Sequence, residues 1–242
     1  MSITLNYQLS VFGNYTISPT PDTISTLMGK INDTTQKTFL PNIINSQQIE
    51  LPSNKITTLS NLGFVSQDQK FSIAILNERI DINYSRIDDS DIDIRSFYEF
   101  AVKALVVIIE HSGIVSNRLA INIHQVNEVE SFEKLKVLGK SLIKTPTYYN
   151  DKNYEEWSLR TNSNFGVTIT DNQEILNIIT ELSSTQNTSS QKAGVLCHVD
   201  INTLQYNQNL RFGVTELNPF VESALNIASN ILNDIERLIG NE

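Results

Sequence analysis

The chain has 242 residues, and its 27 acidic against 18 basic residues give a net charge of −9. Hydrophobic residues make up 40% of the chain and charged residues 19%, a composition that indicates a globular protein with a substantial core and excludes a largely disordered one. A surface of this charge repels phosphate backbones and anionic membranes, so direct binding to nucleic acid or to a membrane is not expected.

The chain carries the features of a cytoplasmic protein. Its single cysteine, Cys197, has no partner for an internal disulfide, which suits a reducing compartment. The first residues lack the basic start and apolar core of a signal peptide. The longest uninterrupted apolar run, residues 104–109, is far too short to span a bilayer.

The first third of the chain predicts a strand, a helix and a meander. Apolar and polar residues alternate over residues 3–11, as in a half-buried strand. An apolar stripe follows, with Asp22 as the predicted N-cap of a helix. Residues 39–54 contain two prolines and are predicted to form a loop, whereas residues 56–84 predict three strands separated by short polar breaks.

The strongest helix signal runs from Ser96 to Glu110. Ser96 and Glu99 have the spacing of a capping box, and Gly113 is well placed to end the helix. Apolar residues cover nearly every side of this helix, which predicts that it is buried between a sheet and another element. The sequence RLAINIHQV that follows it predicts a strand.

The second half predicts a similar mixture of elements. A short helix is expected over residues 131–144, weakened by Gly139, and is followed by a connector. Strands are expected around residues 156–160, 166–170 and 195–201, with a helix opening at Asp171 between the last two. The polar stretch 183–192 is predicted to be a loop.

The chain ends in a predicted helix that starts with Asn218 as its cap and Pro219 in its first turn. Its apolar stripe comprises Val221, Ala224, Ala228, Ile231, Ile235 and Leu238. We expect this stripe to close the core of its own chain, with Ile231 and Ile235 buried at its centre. The alternative is an amphipathic helix that docks on a partner.

These elements together predict an α+β fold, in which a mainly antiparallel sheet packs against a buried central helix and a C-terminal helix. The chain is expected to form a single unit over residues 1–242, with two closely packed halves (1–130 and 150–242) as the alternative. A strand–strand–helix–strand pattern occurs around residues 62–127 and again around 155–203, which raises the question of a duplication.

The stretch GVLCHVDIN places Cys197 next to His198, with Asp200 two residues later. Successive side chains of a strand point to opposite faces, so Cys197 belongs to the apolar face and His198 to the other. A cysteine among valines has a raised pKa and little thiolate, which argues against a nucleophile. We therefore expect an ordinary core cysteine.

The opposite face of this strand is the best candidate for polar chemistry. His198 and Asp200 point the same way, and Asn122 and His124 have the same arrangement on an earlier strand. If the two strands are neighbours, His124, His198 and Asp200 form a set that suits a divalent metal or acid–base catalysis. The simpler interpretation is a polar strand face that is solvated or hydrogen-bonded.

Two further motifs are incomplete. Gly139-Lys140-Ser141 resembles the end of a phosphate-binding loop, but Lys134 stands where that loop needs a glycine. Four aspartates over residues 88–93 have calcium-loop spacing, but the sixth position is Ile94 and the twelfth is not acidic. The simpler interpretation is a solvated acidic turn before the central helix.

An aromatic cluster is the best signal for an interaction with another protein. It consists of Tyr148, Tyr149, Tyr154 and Trp157 in and beside the predicted connector. Exposed aromatic groups are common anchors for protein partners. The alternative, which we favour, is that these rings pack down as a small satellite of the core.

The order of three segments resembles a known protein family. NERIDINYS, SFYEFAVKALVVIIEHSG and NRLAINIHQV, followed by a late CHVDIN strand and a C-terminal helix, are similar in layout to a sporadically distributed bacterial family of α+β proteins. The similarity covers residues 56–240. That family has no assigned activity and supplies no catalytic residues, but its sporadic distribution implies mobile or defence-related genes.

The sequence supports three hypotheses of function. The leading one is a non-catalytic binding or adaptor subunit of a bacterial cytoplasmic system, such as a defence or toxin–antitoxin system, with a protein partner and no cofactor. The second is a metal-dependent or acid–base hydrolase that uses His124, His198 and Asp200. The third is an acidic mimic of nucleic acid that inhibits a nucleic-acid-binding protein.

Overall fold

The computed structural model describes residues 2–14, 16–50, 55–143, 154–187 and 192–240. Nine strands over these residues form one antiparallel sheet in the order β2-β3-β4-β5-β1-β6-β9-β8-β7. The predicted α+β class is therefore confirmed. The strands are β1 (Ser2–Phe12), β2 (Phe39–Glu50), β3 (Lys55–Ser66), β4 (Phe71–Ile75), β5 (Arg79–Ser85), β6 (Arg118–Val129), β7 (Ser158–Ile169), β8 (Asn172–Asn187) and β9 (Lys192–Thr203).

Four helices complete the described fold. They are α1 (Pro21–Thr35), α2 (Ile94–Ser112), α3 (Phe132–Leu142) and α4 (Val214–Gly240). The meander predicted for residues 56–84 is confirmed as β3, β4 and β5, and the short helix predicted around Gly139 is confirmed as α3. No helix of the described chain is both long enough and apolar enough to cross a membrane.

The order of elements repeats along the chain. β1 and α1 lead into the meander β2–β5 and then α2, while β6 and α3 lead into the meander β7–β9 and then α4. In each case the last strand of the meander pairs with the first strand of the unit, and β1 and β6 pair with each other at the centre of the sheet. This repeat differs from the strand–strand–helix–strand pattern predicted around residues 155–203, because the segment predicted to be the helix is strand β8.

The two faces of the sheet differ in character. One face carries the fully buried apolar residues of every central strand, such as Leu9, Ile82 and Val199, and they share one core with the buried faces of the helices. Phe97 of α2 stacks on Tyr7 of β1 with ring centroids 5.5 Å apart, which fixes α2 on this face. We call this side the helix face and the opposite side the open face.

α2 is the central element of the core, as its sequence predicts. It contacts α1, α4, β1 and β5. The predicted stripe Phe97, Phe100, Ala101, Ala104, Leu105 and Ile108 is buried, and so are residues on the flanking sides, including Val102 and Ile109. The predicted termination at Gly113 is also confirmed, since Gly113 adopts a left-handed backbone with φ of 66°.

The structure corrects the predicted starts of three helices. α1 is capped by Thr20, whose Oγ1 accepts from Thr23 N at 3.2 Å, so Asp22 lies in the first turn. α2 begins earlier than Ser96 because the Asp93 carboxylate accepts from Ser96 N at 3.0 Å and replaces the capping box. α4 begins at Val214, so Asn218 is not its cap and Pro219 lies inside the helix.

Two segments that were predicted as loop or helix are strands. Residues 39–50 form β2, an edge strand that tolerates Pro41 because an outer strand needs fewer backbone donors. The helix predicted to open at Asp171 is β8, which also takes in residues 183–187 of the predicted polar loop. Thr170 turns the chain into β8 with φ of 54°.

The strands predicted around residues 156–160 and 166–170 form one strand, β7.

The apolar stripe of α4 packs against the chain's own core over most of its length. Val221, Ala224, Ala228 and Ile235 are buried. Ile231 is only partly buried, and Leu238 is 42% exposed, so the predicted central position of Ile231 and the predicted burial of Leu238 are wrong. Ile239, four residues after Ile235 on the same face of the helix, meets the core instead of Leu238.

Candidate functional site on the open face of the sheet

A continuous row of hydrogen-bonded side chains crosses the open face. It takes one residue from each of seven consecutive strands, and we call it the polar ladder: Arg160 (β7), Glu181 (β8), His198 (β9), Asn122 (β6), Gln8 (β1), Asn83 (β5) and Ser72 (β4). Each of these side chains alternates with core residues along its strand and so points to the open face. The pairing of neighbouring strands then places the seven side chains side by side.

The first half of the ladder is charged. Arg160 Nε donates to Glu181 Oε1 at 2.6 Å, and the other carboxylate oxygen lies 3.5 Å from His198 Nδ1. Burial acts to raise the pKa of Glu181, but its interactions with His198 and Arg160 together outweigh burial and lower the pKa. His198 Nε2 then donates to Asn122 Oδ1 at 2.9 Å. Glu181 therefore remains a carboxylate that orients the imidazole of His198.

The second half of the ladder is neutral. Asn122 Nδ2 donates to Gln8 Oε1 at 3.4 Å, and Gln8 Nε2 donates to Asn83 Oδ1 at 2.9 Å. Asn83 Nδ2 reaches Ser72 Oγ at 3.4 Å. Because each amide both donates and accepts, the orientation of one fixes that of the next. The open face thus presents a polar pattern with a defined arrangement.

The two candidate histidines meet beside this ladder. β6 and β9 are neighbours with His124 opposite His198, and the ring centroids are 4.0 Å apart with the planes inclined by 14°. The pKa of His124 lies below its ordinary value of 6.5, because the effects of burial and of the nearby His198 outweigh the opposite effect of Glu181. The condition on which the sequence hypothesis depended, that the two strands are adjacent, is therefore met.

The geometry of the pair does not form a metal centre. Among the described residues, no group of three or more His, Cys, Asp or Glu side chains is arranged to hold a metal ion. Stacked rings direct their nitrogen lone pairs sideways rather than toward a common point. Asp200 lies opposite Asn122 in the register, and its Oδ1 accepts from Asn202 Nδ2 at 3.1 Å. Asp200 is therefore hydrogen-bonded to the side chain of Asn202 on its own strand and not to either histidine.

Cys197 is a core residue, as its strand position predicts. Its side chain is fully buried on the helix face, while His198 points to the open face. Burial raises the pKa of Cys197 to about 12. A thiol with that pKa holds almost no thiolate at neutral pH, so Cys197 is not a nucleophile.

The aromatic cluster is only partly within the described chain. Tyr148 and Tyr149 lie outside the described residues, and Tyr154 packs against the core while partly exposed. Trp157 is 7% exposed, and its Nε1 donates to Leu135 O of α3 at 3.1 Å. Trp157 therefore joins α3 to the sheet and does not present its ring as a surface anchor.

The incomplete motifs have structural roles. Asp88 accepts from Lys70 Nζ, with 2.9 Å between Lys70 Nζ and Asp88 Oδ2, and hydrogen bonds from Ser90 and Lys70 lower its pKa to about 2. Asp93 caps α2. Gly139 lies inside α3, not between a strand and a helix, as a phosphate-binding loop requires.

A second polar feature lies at one end of the open face and is not evident from the sequence. Phe12 at the end of β1 stands opposite Arg79 of β5 on one side and Arg118 of β6 on the other. The guanidinium carbon of Arg118 lies 3.7 Å from the centroid of the Phe12 ring, and that of Arg79 lies 5.8 Å away. We call these three residues the Arg–Phe–Arg triplet.

The triplet forms part of the wall of a cavity of about 790 Å³. The other lining residues are Gly13, Asn14, Leu59, Asn61, Leu76, Asn77, Glu78, Asn117, Gln205 and Gln208. The cavity is lined by the end of β1, the starts of β5 and β6, and residues distant from them in sequence. It is therefore evident only once the strand register is known. In the sequence, the signal for this site is an arginine at the start of each of two strands, Arg79 of β5 and Arg118 of β6. Arginine is common at such positions, so this signal does not single out a binding site.

No protein-family model and no curated protein matches this chain.

Proposed function

We propose that this protein is a non-catalytic binding or adaptor subunit of a bacterial cytoplasmic multi-protein system, such as a defence or toxin–antitoxin system, and that a protein partner binds its open face. The observation that carries the proposal is the segregation of the two faces. Apolar residues of the central strands and helices share one core on the helix face, whereas the polar ladder spans seven strands of the open face.

The structure of the polar ladder favours the binding of a protein partner over catalysis. Its side chains are fixed by one another, so a partner that binds them loses less conformational entropy than one that binds freely rotating groups. The charged end remains accessible, since the side chains of Arg160 and Glu181 are 55% and 44% exposed. Apolar groups accompany it on the same face, including Leu5 and Ile175, which are 38% and 44% exposed.

The arrangement of titratable groups also favours this function over hydrolysis. Cys197 is separated from His198 by the sheet, and Asp200 is bonded to Asn202 rather than to either histidine. A general base must lie within hydrogen-bond reach of both its substrate and an orienting group. His198 has the orienting Glu181, but its Nε2 is already bonded to Asn122.

The test is co-purification from the native operon, followed by reconstitution of the identified partner with the purified chain. We expect binding to weaken at least tenfold when Arg160→Glu and Leu5→Glu are combined on the open face. Arg95→Glu is the matched control, because Arg95 is exposed at the start of α2, away from the open face, and pairs with Glu222 of α4. Retained binding in the open-face variant, together with loss in the control, would place the interface on the helix face and contradict the proposal.

A further inference from the structure

The two arginines of the Arg–Phe–Arg triplet differ in their surroundings: Arg79 forms an ion pair, whereas Arg118 forms none with the described residues. Arg79 Nε lies 2.7 Å from Asp81 Oδ2, and Ser10 Oγ donates to Asp81 Oδ1 at 2.6 Å. Arg118 has no carboxylate within ion-pairing distance among the described residues, and its Nε is buried without an acceptor. The guanidinium of Arg118 also lines the cavity, so it is suited to an anion that enters from outside the chain and meets its Nη atoms.

We infer that the cavity beside Arg118 binds the free C-terminal carboxylate of the protein partner, an inference that rests on the proposed function. The two Nη atoms of an arginine present parallel N–H groups as a fork that matches the two oxygens of a carboxylate. Stacking on Phe12 holds the plane of the guanidinium, so the fork is fixed before the ligand arrives.

The charge balance around Arg118 favours a monoanion over a phosphate. Glu78 lines the same cavity, and Asp200 lies close enough to act on the charge of Arg118. Asp81 already pairs with Arg79. Because these two carboxylates repel a dianion more strongly than a monoanion, the surroundings of Arg118 favour a ligand with a single negative charge over a phosphate.

The remaining walls suit a peptide. Asn14, Asn77 and Gln205 supply amide donors and acceptors of the kind that pair with peptide groups. Leu59, Leu76 and the Phe12 ring supply apolar surface for a side chain. The volume lies within the range of about 300–1,000 Å³ that is usual for sites that hold small ligands.

The rim of the site is fixed by backbone hydrogen bonds. Gly13 N donates to Glu78 O at 3.1 Å, and Asn117 N donates to Phe12 O at 2.8 Å. Asn117 Nδ2 also donates to Gln208 Oε1 at 3.0 Å, which ties the loop after β9 to the start of β6. The strand ends that carry Arg118 and Phe12 are therefore joined before any ligand binds.

The experiment is an NMR titration of the full-length protein that follows the Arg118 Nε–Hε resonance, with N-acetyl-leucine as the probe. We expect saturable binding with a Kd on the order of 1 mM, the affinity typical of a ligand of this size. N-acetyl-leucinamide and inorganic phosphate are expected to bind at least tenfold more weakly. Equal binding of the amide, tighter binding of phosphate, or no shift with N-acetyl-leucine would each overturn the inference.

Variants make the test specific to the site. Arg118→Met and Asn77→Glu are each expected to weaken N-acetyl-leucine binding at least tenfold, monitored for Arg118→Met through backbone amides of β6. Asn77 is exposed in the turn before β5, so its replacement keeps the test valid if Arg118→Met does not fold. Arg95→Met, away from the cavity, should bind as the wild type does. Binding unaffected by Asn77→Glu would exclude this cavity.

The same variants separate this inference from the proposed function. If the reconstituted partner binds through the open face but is insensitive to Arg118→Met and to amidation of its C-terminus, the function stands and the carboxylate site is wrong. If N-acetyl-leucine binds at Arg118 but open-face variants leave the partner's affinity unchanged, the site stands and the interface is wrong.

Discussion

The imidazole rings of His124 and His198 stack across β6 and β9 with centroids 4.0 Å apart. Two rings at this distance are stable when at most one is protonated, because two positive charges would repel at close range. Burial and the nearby His198 lower the pKa of His124, so His124 resists protonation in the folded chain. The pair thus makes the open face sensitive to acid.

We expect His124→Gln to flatten the dependence of stability on pH. Burial and His198 lower the pKa of His124 in the folded state, so below its ordinary value of 6.5 the unfolded chain binds a proton that the folded chain resists. Stability should therefore be lost as the pH falls through this region, and less steeply in the variant. Urea unfolding at pH 7.5 and 5.0 measures the difference.

His111→Gln is the control for this prediction, since it removes an exposed imidazole at the end of α2 that takes no part in the stacked pair. A variant lacking His124 that loses as much stability in acid as the wild type would show that the pair is not the source of the acid sensitivity.

Asn122→Ala should break the polar ladder at its centre. Asn122 bonds to His198 and to Gln8, so its removal leaves both partners short of a hydrogen bond in a partly buried setting. We expect a loss of about 1–3 kcal/mol of unfolding free energy, measured by urea denaturation. Gln173→Ala, which removes one exposed bond to Thr168, should change the free energy by far less.

Gly139→Ala should destabilise the protein although alanine favours helices. A Cβ at this position would lie 2.4 Å from Trp157 Cδ1 and 2.7 Å from its Nε1, and the ring is held by its bond to Leu135 O. We expect overpacking to cost about 1–3 kcal/mol, read as a lower melting temperature.

Gly29→Ala is the matched control in α1, where a Cβ meets nothing within 4 Å. That variant should gain stability by up to about 1 kcal/mol from helix propensity. If both glycine variants shift the melting temperature in the same direction, close packing against Trp157 is not what requires Gly139.

Ile235→Ala should reduce the unfolding free energy by about 2–5 kcal/mol through lost burial and the resulting cavity. Ile235 is 6% exposed in the face of α4 that meets the core. Leu238→Ala should have little effect because Leu238 is 42% exposed. Thermal melts of the isolated protein decide between a core helix and a docking helix, and an unchanged melting temperature for Ile235→Ala would favour docking.

The buried central helix illustrates what local sequence predicts well. A helix that is apolar on nearly every side, such as α2, has no stable position except inside the core, so its burial follows from composition alone. The placement of Cys197 and His198 on opposite faces follows equally from the two-residue period of a strand.

Helix starts were less predictable because several residues compete to cap them. Both Asp93 and Ser96 are good N-caps, and the structure uses Asp93. Asp22 was predicted to cap α1, but Thr20 precedes Pro21, whose fixed φ suits the first helical position. Only the backbone path that enters each helix decides among such neighbours.

The segment from Asn172 shows where local sequence fails. Leu176, Ile178 and Leu182 suit one side of a strand, yet with Ile175 and Ile179 they also suit a helical stripe. The sheet decides the matter, because β7 and β9 offer backbone partners on both sides of β8. Such partners lie outside the local sequence.

The candidate site shows the same division. Local sequence is enough to place His124 and His198 on polar strand faces, because alternation with apolar residues decides which way each side chain points. Local sequence does not show that the two rings stack, that Asn122 joins His198 to a ladder, or that Phe12 lies between Arg79 and Arg118. Strand order and register fix these contacts, and they result from the packing of the whole sheet against its helices.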